Sequence, residues 1–189
     1  MDKKWLPLTI VLGLAGAAVV TASLWPDADE PPPPQSLCYG ALSRKTAELI
    51  DDGKGGEVSS EEWERKGNGD YAVFKTCHVM RANQDSDSPR GIYQLIIEDT
   101  RSGPGHKKDS VPLGPGFTGW ALPDRAEATL PAGCAARVGS TAPYITVTLM
   151  APSQAEKKGL VDRDTALRNS ATVIKEAAGN LAKKYGCEA

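Results

Sequence analysis

The chain has 189 residues, 22 of them basic and 24 acidic, a net charge of −2, and aromatic residues make up only 6%. The short basic runs Lys107-Lys108, Lys157-Lys158 and Lys183-Lys184 are scattered and offset by acids. No basic stripe is left for a nucleic-acid backbone, and so few rings argue against a stacking platform for bases or sugars.

Lys3 and Lys4 precede an uncharged run from Trp5 to Trp25, followed by Asp27, Asp29, Glu30 and the tract Pro31–Pro34. About 20 apolar residues at 1.5 Å rise cross a bilayer core of roughly 30 Å. Lysines before the run and acids after it orient a single transmembrane helix with its N-terminus in the cytoplasm, and a tryptophan at each end suits the two interfaces. The rival reading is a cleaved signal peptide with Val20-Thr21-Ala22 as the cleavage site, which gives a secreted protein. A lipoprotein signal fits poorly, because the first cysteine, Cys38, lies beyond the prolines. The expected organisation is a cytoplasmic tip and anchor over residues 1–25, a Pro-rich linker over 26–37, and an extracytoplasmic domain over 38–189. The polyproline tract is a semi-rigid spacer between anchor and domain.

Within the domain, Ser43 reads as the N-cap of a helix with Leu42, Ala47, Leu49 and Ile50 on its apolar side, stopped by Asp51-Asp52-Gly53. Ser59 or Ser60 with Glu61 and Glu62 predicts a short helical turn through Trp63. Tyr71 to Arg81 is a strand with apolar residues on both faces, Asn83 to Pro89 its turn, and Ile92 to Thr100 the second strand of a hairpin. Ser102 to Gly119 is a Gly- and Pro-rich surface loop. Shorter strands follow at Arg125–Leu130 and Cys134–Val138, and a stronger one at Tyr144–Met150. Leu167, Ala171, Ile174, Ala178, Leu181 and Tyr185 recur at steps of three and four and form one stripe of a terminal helix. Asp162 or Asp164 caps its start, Lys183 and Lys184 suit its negative end, and Gly186 follows it. The fold class is therefore α+β: an antiparallel β-sheet with the N-terminal and C-terminal helices packed on one face.

All four cysteines, Cys38, Cys77, Cys134 and Cys187, fall in the exported part, where an even number reads as two disulfides. Three pairings are open. Element order selects Cys38–Cys77, which ties the first helix to the first strong strand, and Cys134–Cys187, which ties the end of the last helix to the sheet. No cysteine pair has zinc-knuckle spacing, so neither a metal nor a cofactor is expected.

Catalytic templates are missing: there is no G-x-S-x-G, H-E-x-x-H, P-loop or S-x-x-K. His78 reads as a core or edge histidine of its strand and His106 as solvent-exposed in its loop. Gly114, Gly116 and Gly119 spell G-x-G-x-x-G, but no strand leads directly into them and Pro123 interrupts the helix that a dinucleotide site needs. Asp51 to Glu62 has the length of a calcium loop, yet Gly53 and Gly55 occupy two ligand positions, so a solvated turn is expected. Asp85 and Asp87 read as turn carboxylates. Trp120 reads first as a core anchor. With Phe117 and His106 it is also the candidate lining of a pocket.

The segments Cys38-Tyr39-Gly40-Ala41-Leu42-Ser43, Trp120 to Pro123 followed by Cys134, and Lys184-Tyr185-Gly186-Cys187 resemble a group of uncharacterised membrane-anchored or secreted envelope proteins of high-GC actinobacteria, streptomycetes above all. By element order alone the chain is also similar to small lipoprotein and kinase-sensor domains of that envelope. Neither resemblance carries over a functional residue. The reading from sequence is a single-pass envelope protein whose exported domain binds a protein or small-ligand partner. The alternative is a hydrolase with a carboxylate or metal-assisted site, and a third class is a purely structural accessory subunit.

Overall fold

Stretches that alternate in sequence pair into one antiparallel sheet. The computed structural model describes residues 36–67, 72–83, 86–151 and 161–187. Along them run β1 (Ser36–Leu37), β2 (Leu42–Ser43), α1 (Arg44–Ala47), β3 (Val58–Lys66), β4 (Val73–Asn83), β5 (Ser86–Thr100), β6 (Val111–Pro112), β7 (Thr118–Ala121), β8 (Arg125–Thr129), α2 (Cys134–Arg137), β9 (Tyr144–Met150) and α3 (Arg163–Tyr185). The anchor segment 1–25 and the Pro31–Pro34 tract lie outside the described residues, as do Tyr71 and Asp85. Among the described residues, no helix is long and apolar enough to cross a membrane.

Seven strands stand in the order β3-β4-β5-β9-β8-β7-β6, each pair antiparallel, and β1 and β2 form a separate hairpin. One face of the sheet is the core. Leu95 and Ile97 of β5, Ala126 and Ala128 of β8, and Ile145, Val147 and Leu149 of β9 are fully buried against Val173, Ile174, Ala177 and Leu181 of α3. Burying each such aliphatic side chain contributes about 1.5–3 kcal/mol. The domain is thus α+β, with the C-terminal helix across an antiparallel sheet. Asp162 caps α3, its carboxylate accepting from the Thr165 backbone N–H at 2.9 Å. Gly186 closes it in the left-handed conformation, φ 65°.

Several elements differ from the sequence expectation. The first helix is a single turn: Ser43 caps it as expected, but Leu49 and Ile50 fall beyond Ala47. The expected helical turn at Ser59–Trp63 is part of β3, because the whole segment pairs with β4, Val58 opposite Arg81 through Lys66 opposite Val73. Ser36 and Leu37, assigned to the linker, pair with Ser43 and Leu42. The expected strand at Cys134–Val138 is the one-turn helix α2. Most of the expected Asn83–Pro89 turn is strand, with Asn83 opposite Ser86, and Asp87 lies in β5. The Gly/Pro loop carries β6 and the start of β7.

β4 is buried mainly on one side, Thr76 being its buried residue on the other. Val73, Cys77, Val79 and Arg81 face the core, while His78 is exposed and Phe74 and Met80 are half-buried on the other side. Cross-strand partners share a face, so a row runs Trp63, Thr76, Ile96, Thr148, Glu127, Trp120 across six strands. This face is the one opposite the core face and mixes polar residues with Trp63, Ile96 and Trp120.

Cys38 is bonded to Cys77 and Cys134 to Cys187, with Cα separations of 5.2 and 5.1 Å. These are the partners that element order selects. Two disulfides indicate an oxidising, extracytoplasmic environment.

Candidate functional site

Two cavities are lined by residues of β7, β8 and the Gly103–Lys107 loop. The first, about 680 Å³, lies at the end of the sheet beside α3. Its helix wall is made of small residues, Ala178, Gly179 and Ala182, and Phe117 and Leu130 belong to its lining. Pro143, Tyr144, Gly103 and Pro104 complete its apolar surface. Tyr144 is 40% exposed at this site, a large apolar ring left in solvent. The Lys175 ammonium stands 5.8 Å from the Phe117 ring centre and donates to the Leu113 carbonyl. Among the described residues, no charged side chain lines this cavity. Thr129 does, and its hydroxyl is buried without a hydrogen-bond partner. A cavity of this size and apolarity is suited to holding a small molecule, not to acid–base work.

The second is a polar groove of about 370 Å³ on the open face. Strand alternation places its floor: Ile96 and Glu98 from β5, Thr148 and Met150 from β9, Arg125 and Glu127 from β8. Trp120, 7% exposed, also lines the groove, and Gly105, His106 and Lys107 reach it from the loop. Burial raises the protonation range of Glu98, and neighbouring Asp99 raises it further. Burial also raises Glu127, against the lowering effect of Arg125, with Glu98 adding to the rise and Lys107 opposing it. Among the described residues, no hydrogen bond or ion pair joins Glu98, Glu127, Arg125 and Lys107 to one another. The groove therefore holds charge of both signs that interacts through space, Arg125 and Lys107 acting on Glu127, without a direct ion pair.

The three residues singled out as a pocket are thus divided. Phe117 lines the apolar cavity, whereas Trp120 and His106 line the polar groove. Glu98, Glu127, Arg125 and Tyr144 went unnoticed in sequence because each reads as an ordinary polar or outward position of an alternating strand. His78 sits exposed in a separate hollow with Glu61 and Trp63. There Trp63 meets Phe74 edge-on at 5.9 Å, and the Arg65 guanidinium covers the Phe74 ring at 5.1 Å.

Four of the five carboxylates between Asp51 and Glu62 are engaged within the domain. Asp51 lies 3.5 Å from Arg81, Asp52 pairs with Arg90 at 2.9 Å, Glu57 pairs with Arg44, and Glu62 accepts from the Tyr39 backbone N–H. Among the described residues, no group of three His, Cys, Asp or Glu is placed to hold a metal ion. The G-x-G-x-x-G glycines serve the turn into β7. A Cβ at Gly119 would lie 2.0 Å from the Glu127 carbonyl oxygen.

Tyr39 is the other unusual residue. Cys38, Tyr39 and Gly40 all have left-handed φ, at 56°, 61° and 82°. Two consecutive non-glycine residues in that region cost about 1–3 kcal/mol each. The Cys38–Cys77 bridge and the Tyr39 contacts hold them there. Its ring lies beneath the Lys75 ammonium at 4.8 Å, its hydroxyl donates to the Thr76 carbonyl, and its carbonyl accepts from Lys184. Burial, with Glu62 and Glu64 nearby, pushes its phenol up to about 12. These contacts are those of a structural clamp.

Comparison with protein-family models, with curated proteins and with solved structures finds no match.

Proposed function

We propose that this chain is a single-pass, membrane-anchored binding protein of the cell envelope, and that its extracytoplasmic domain takes an apolar ligand in the cavity beside α3. The carrying observation is that cavity: about 680 Å³, walled by Ala178, Gly179, Ala182, Phe117 and Leu130, with no charged side chain among the described residues. The oxidised cysteines support the compartment. The uncharged Trp5–Trp25 run after Lys3-Lys4 supports the anchor, with the cytoplasm on its N-terminal side. The resemblance to actinobacterial envelope proteins agrees with both. The test is photolabelling of the full chain, reconstituted in phosphatidylglycerol vesicles, with a fatty alcohol bearing a diazirine in its chain. Adducts should map to Phe117, Leu130 and Tyr144. Gly179→Leu should suppress them, because a Cβ at Gly179 meets nothing within 4 Å and the larger side chain fills the cavity without disturbing the helix. Labelling confined to residues before Pro26 would refute the reading.

One observation favours a second reading. Glu98 and Glu127 share a groove and are both biased toward the protonated form, the property a carboxylate-based hydrolase uses in its general acid. Turnover of chromogenic glycosides or esters that both Glu98→Gln and Glu127→Gln abolish would establish it.

A further inference from the structure

We infer that the ligand is a lipid with a zwitterionic headgroup carrying an ammonium and a phosphate, its chain in the apolar cavity and its head in the groove of Glu98, Glu127, Arg125 and Lys107. The inference rests on the binding reading above.

Its first support is continuity. On β7, Thr118 lines the cavity and Trp120 the groove; on β8, Thr129 lines the cavity and Glu127 the groove. Residues two apart on a strand share a face and lie about 7 Å from each other. The two sites therefore draw on neighbouring positions of the same two strands, the groove on the open face and the cavity at the end of the sheet beside α3. The loop repeats the division, with Gly103 and Pro104 at the cavity and Gly105, His106 and Lys107 at the groove. A ligand filling the cavity has its polar end within reach of the groove.

The second support is the hydroxyl of Thr129, a cavity residue 9% exposed that has no hydrogen-bond partner among the described residues and stands two residues along β8 from Glu127 of the groove. A buried hydroxyl left without a partner carries a desolvation cost. The ester or hydroxyl oxygens between a lipid chain and its head supply what it lacks.

The third is charge. An anionic head alone would bring its charge against Glu98 and Glu127, and a cationic head alone against Arg125 and Lys107. A zwitterion answers both. Its ammonium donates to the carboxylates, and its phosphate accepts from the guanidinium and ammonium groups. Arg125 and Lys107 act on Glu127 through space, but among the described residues no direct ion pair ties the two sets together.

The experiment uses the full chain in phosphatidylglycerol vesicles and three probes with the same diazirine-bearing chain: lysophosphatidylethanolamine, lysophosphatidylglycerol and the fatty alcohol. The lysophosphatidylethanolamine probe should label the cavity residues at a concentration about tenfold below the alcohol, as charge-assisted hydrogen bonds to the head allow. The Glu98→Gln, Glu127→Gln double variant should keep alcohol labelling and lose that preference. Equal labelling by all three probes overturns the headgroup assignment while leaving the apolar site standing. A preference for lysophosphatidylglycerol replaces the zwitterion with an anion. Absence of cavity labelling by any probe, the alcohol included, overturns the binding reading itself.

Discussion

Gly119 and Gly179 sit at opposite extremes of what a single added methyl does. At Gly119, φ is 155° and a Cβ would overlap the Glu127 carbonyl oxygen at 2.0 Å and press on Ala128 Cα at 2.9 Å, both backbone atoms of β8. Gly119→Ala must force β7 off β8, so the β6–β7 edge and the Trp120 wall of the groove should lose amide protection together. In α3, Gly179 has ordinary helical geometry and open space at its Cβ. Gly179→Ala should raise stability by about 0.5–1 kcal/mol in denaturant titration, the usual difference within a helix. An unchanged midpoint would mean that the cavity wall resists even a methyl. The groove carboxylates add a pH signature. Burial raises Glu98 and Glu127 in the folded chain, so the folded state holds their protons more tightly than the unfolded one. The resulting stability is fully present below the ordinary glutamate range and is lost as pH rises through the raised values. Glu127→Gln removes this loss for one group. The variant should unfold at higher denaturant than the parent at neutral pH, and the difference should vanish below about pH 4. A variant that instead unfolds at lower denaturant at neutral pH, with the deficit vanishing on acidification, would reverse the sign and show Glu127 to be ion-paired.

Among elements, β4 carries the least expected burden. Arg81, 7% exposed, donates to the Gly56 carbonyl at 3.0 Å and the Glu48 carbonyl at 3.2 Å, and faces Asp51 at 3.5 Å. One guanidinium thus fastens the loop between α1 and β3 to the sheet. Arg81→Met keeps the stem but leaves both carbonyls without that donor, and should cost about 2–3 kcal/mol, with faster amide exchange through residues 48–57. A loss well under 1 kcal/mol would mean that the loop is held by its other contacts. Arg81 also shows what alternation conveys in sequence and what it does not. β5, β9 and α3 were legible because apolar residues at period two or near 3.6 mark a half-buried element wherever it goes. β3 reads Val-Ser-Ser-Glu-Glu-Trp-Glu-Arg-Lys, with no such period, because it is an edge strand whose order comes from pairing with β4 rather than from burial. α2 was misread because a single turn is too short to display a period. The candidate site was legible at Phe117, Trp120 and His106, whose setting beside a Gly/Pro loop marks them. That they divide between two cavities depends on which strand lies beside which, and a sequence without that order cannot display it. Glu98 and Glu127 come together only because β9 returns to the gap between β5 and β8.

At the scale of the whole domain, α3 is the member on which the N-terminal segment leans. Glu176 accepts from the Ser43 backbone N–H at 2.6 Å and from the Thr46 hydroxyl. Asn180 donates to the Ala41 carbonyl, Lys184 to that of Tyr39 and Asn169 to that of Leu49. The two disulfides brace this layer from different sides. Cys38–Cys77 fixes the N-terminal segment to β4, and Cys134–Cys187 fixes the end of α3 to α2 beside β9. Their closures span 39 and 53 residues, which in the chain-entropy account contributes about 4 kcal/mol each. Both bridges should be complete in the mature protein, so alkylation without reductant should label no cysteine. The consequences of removing them should differ. With Cys134 and Cys187 replaced by alanine, the end of α3 loosens first, seen as faster amide exchange around Leu181. The segment from Tyr39 to Leu49 should follow, since its carbonyls and capping groups rest on α3, while β4, β5 and β9 stay protected at the centre of the sheet. Labelling of Phe117 by the fatty-alcohol probe should fall with the helix, because Ala178 and Ala182 form the opposing wall. With Cys38 and Cys77 replaced instead, only the turn at Tyr39 should open, and the cavity should keep its probe. Simultaneous loss of protection across all strands in the first variant would show that α3 and the sheet unfold as one unit, and a cavity emptied in the second would show that the N-terminal segment, not α3, sets its shape.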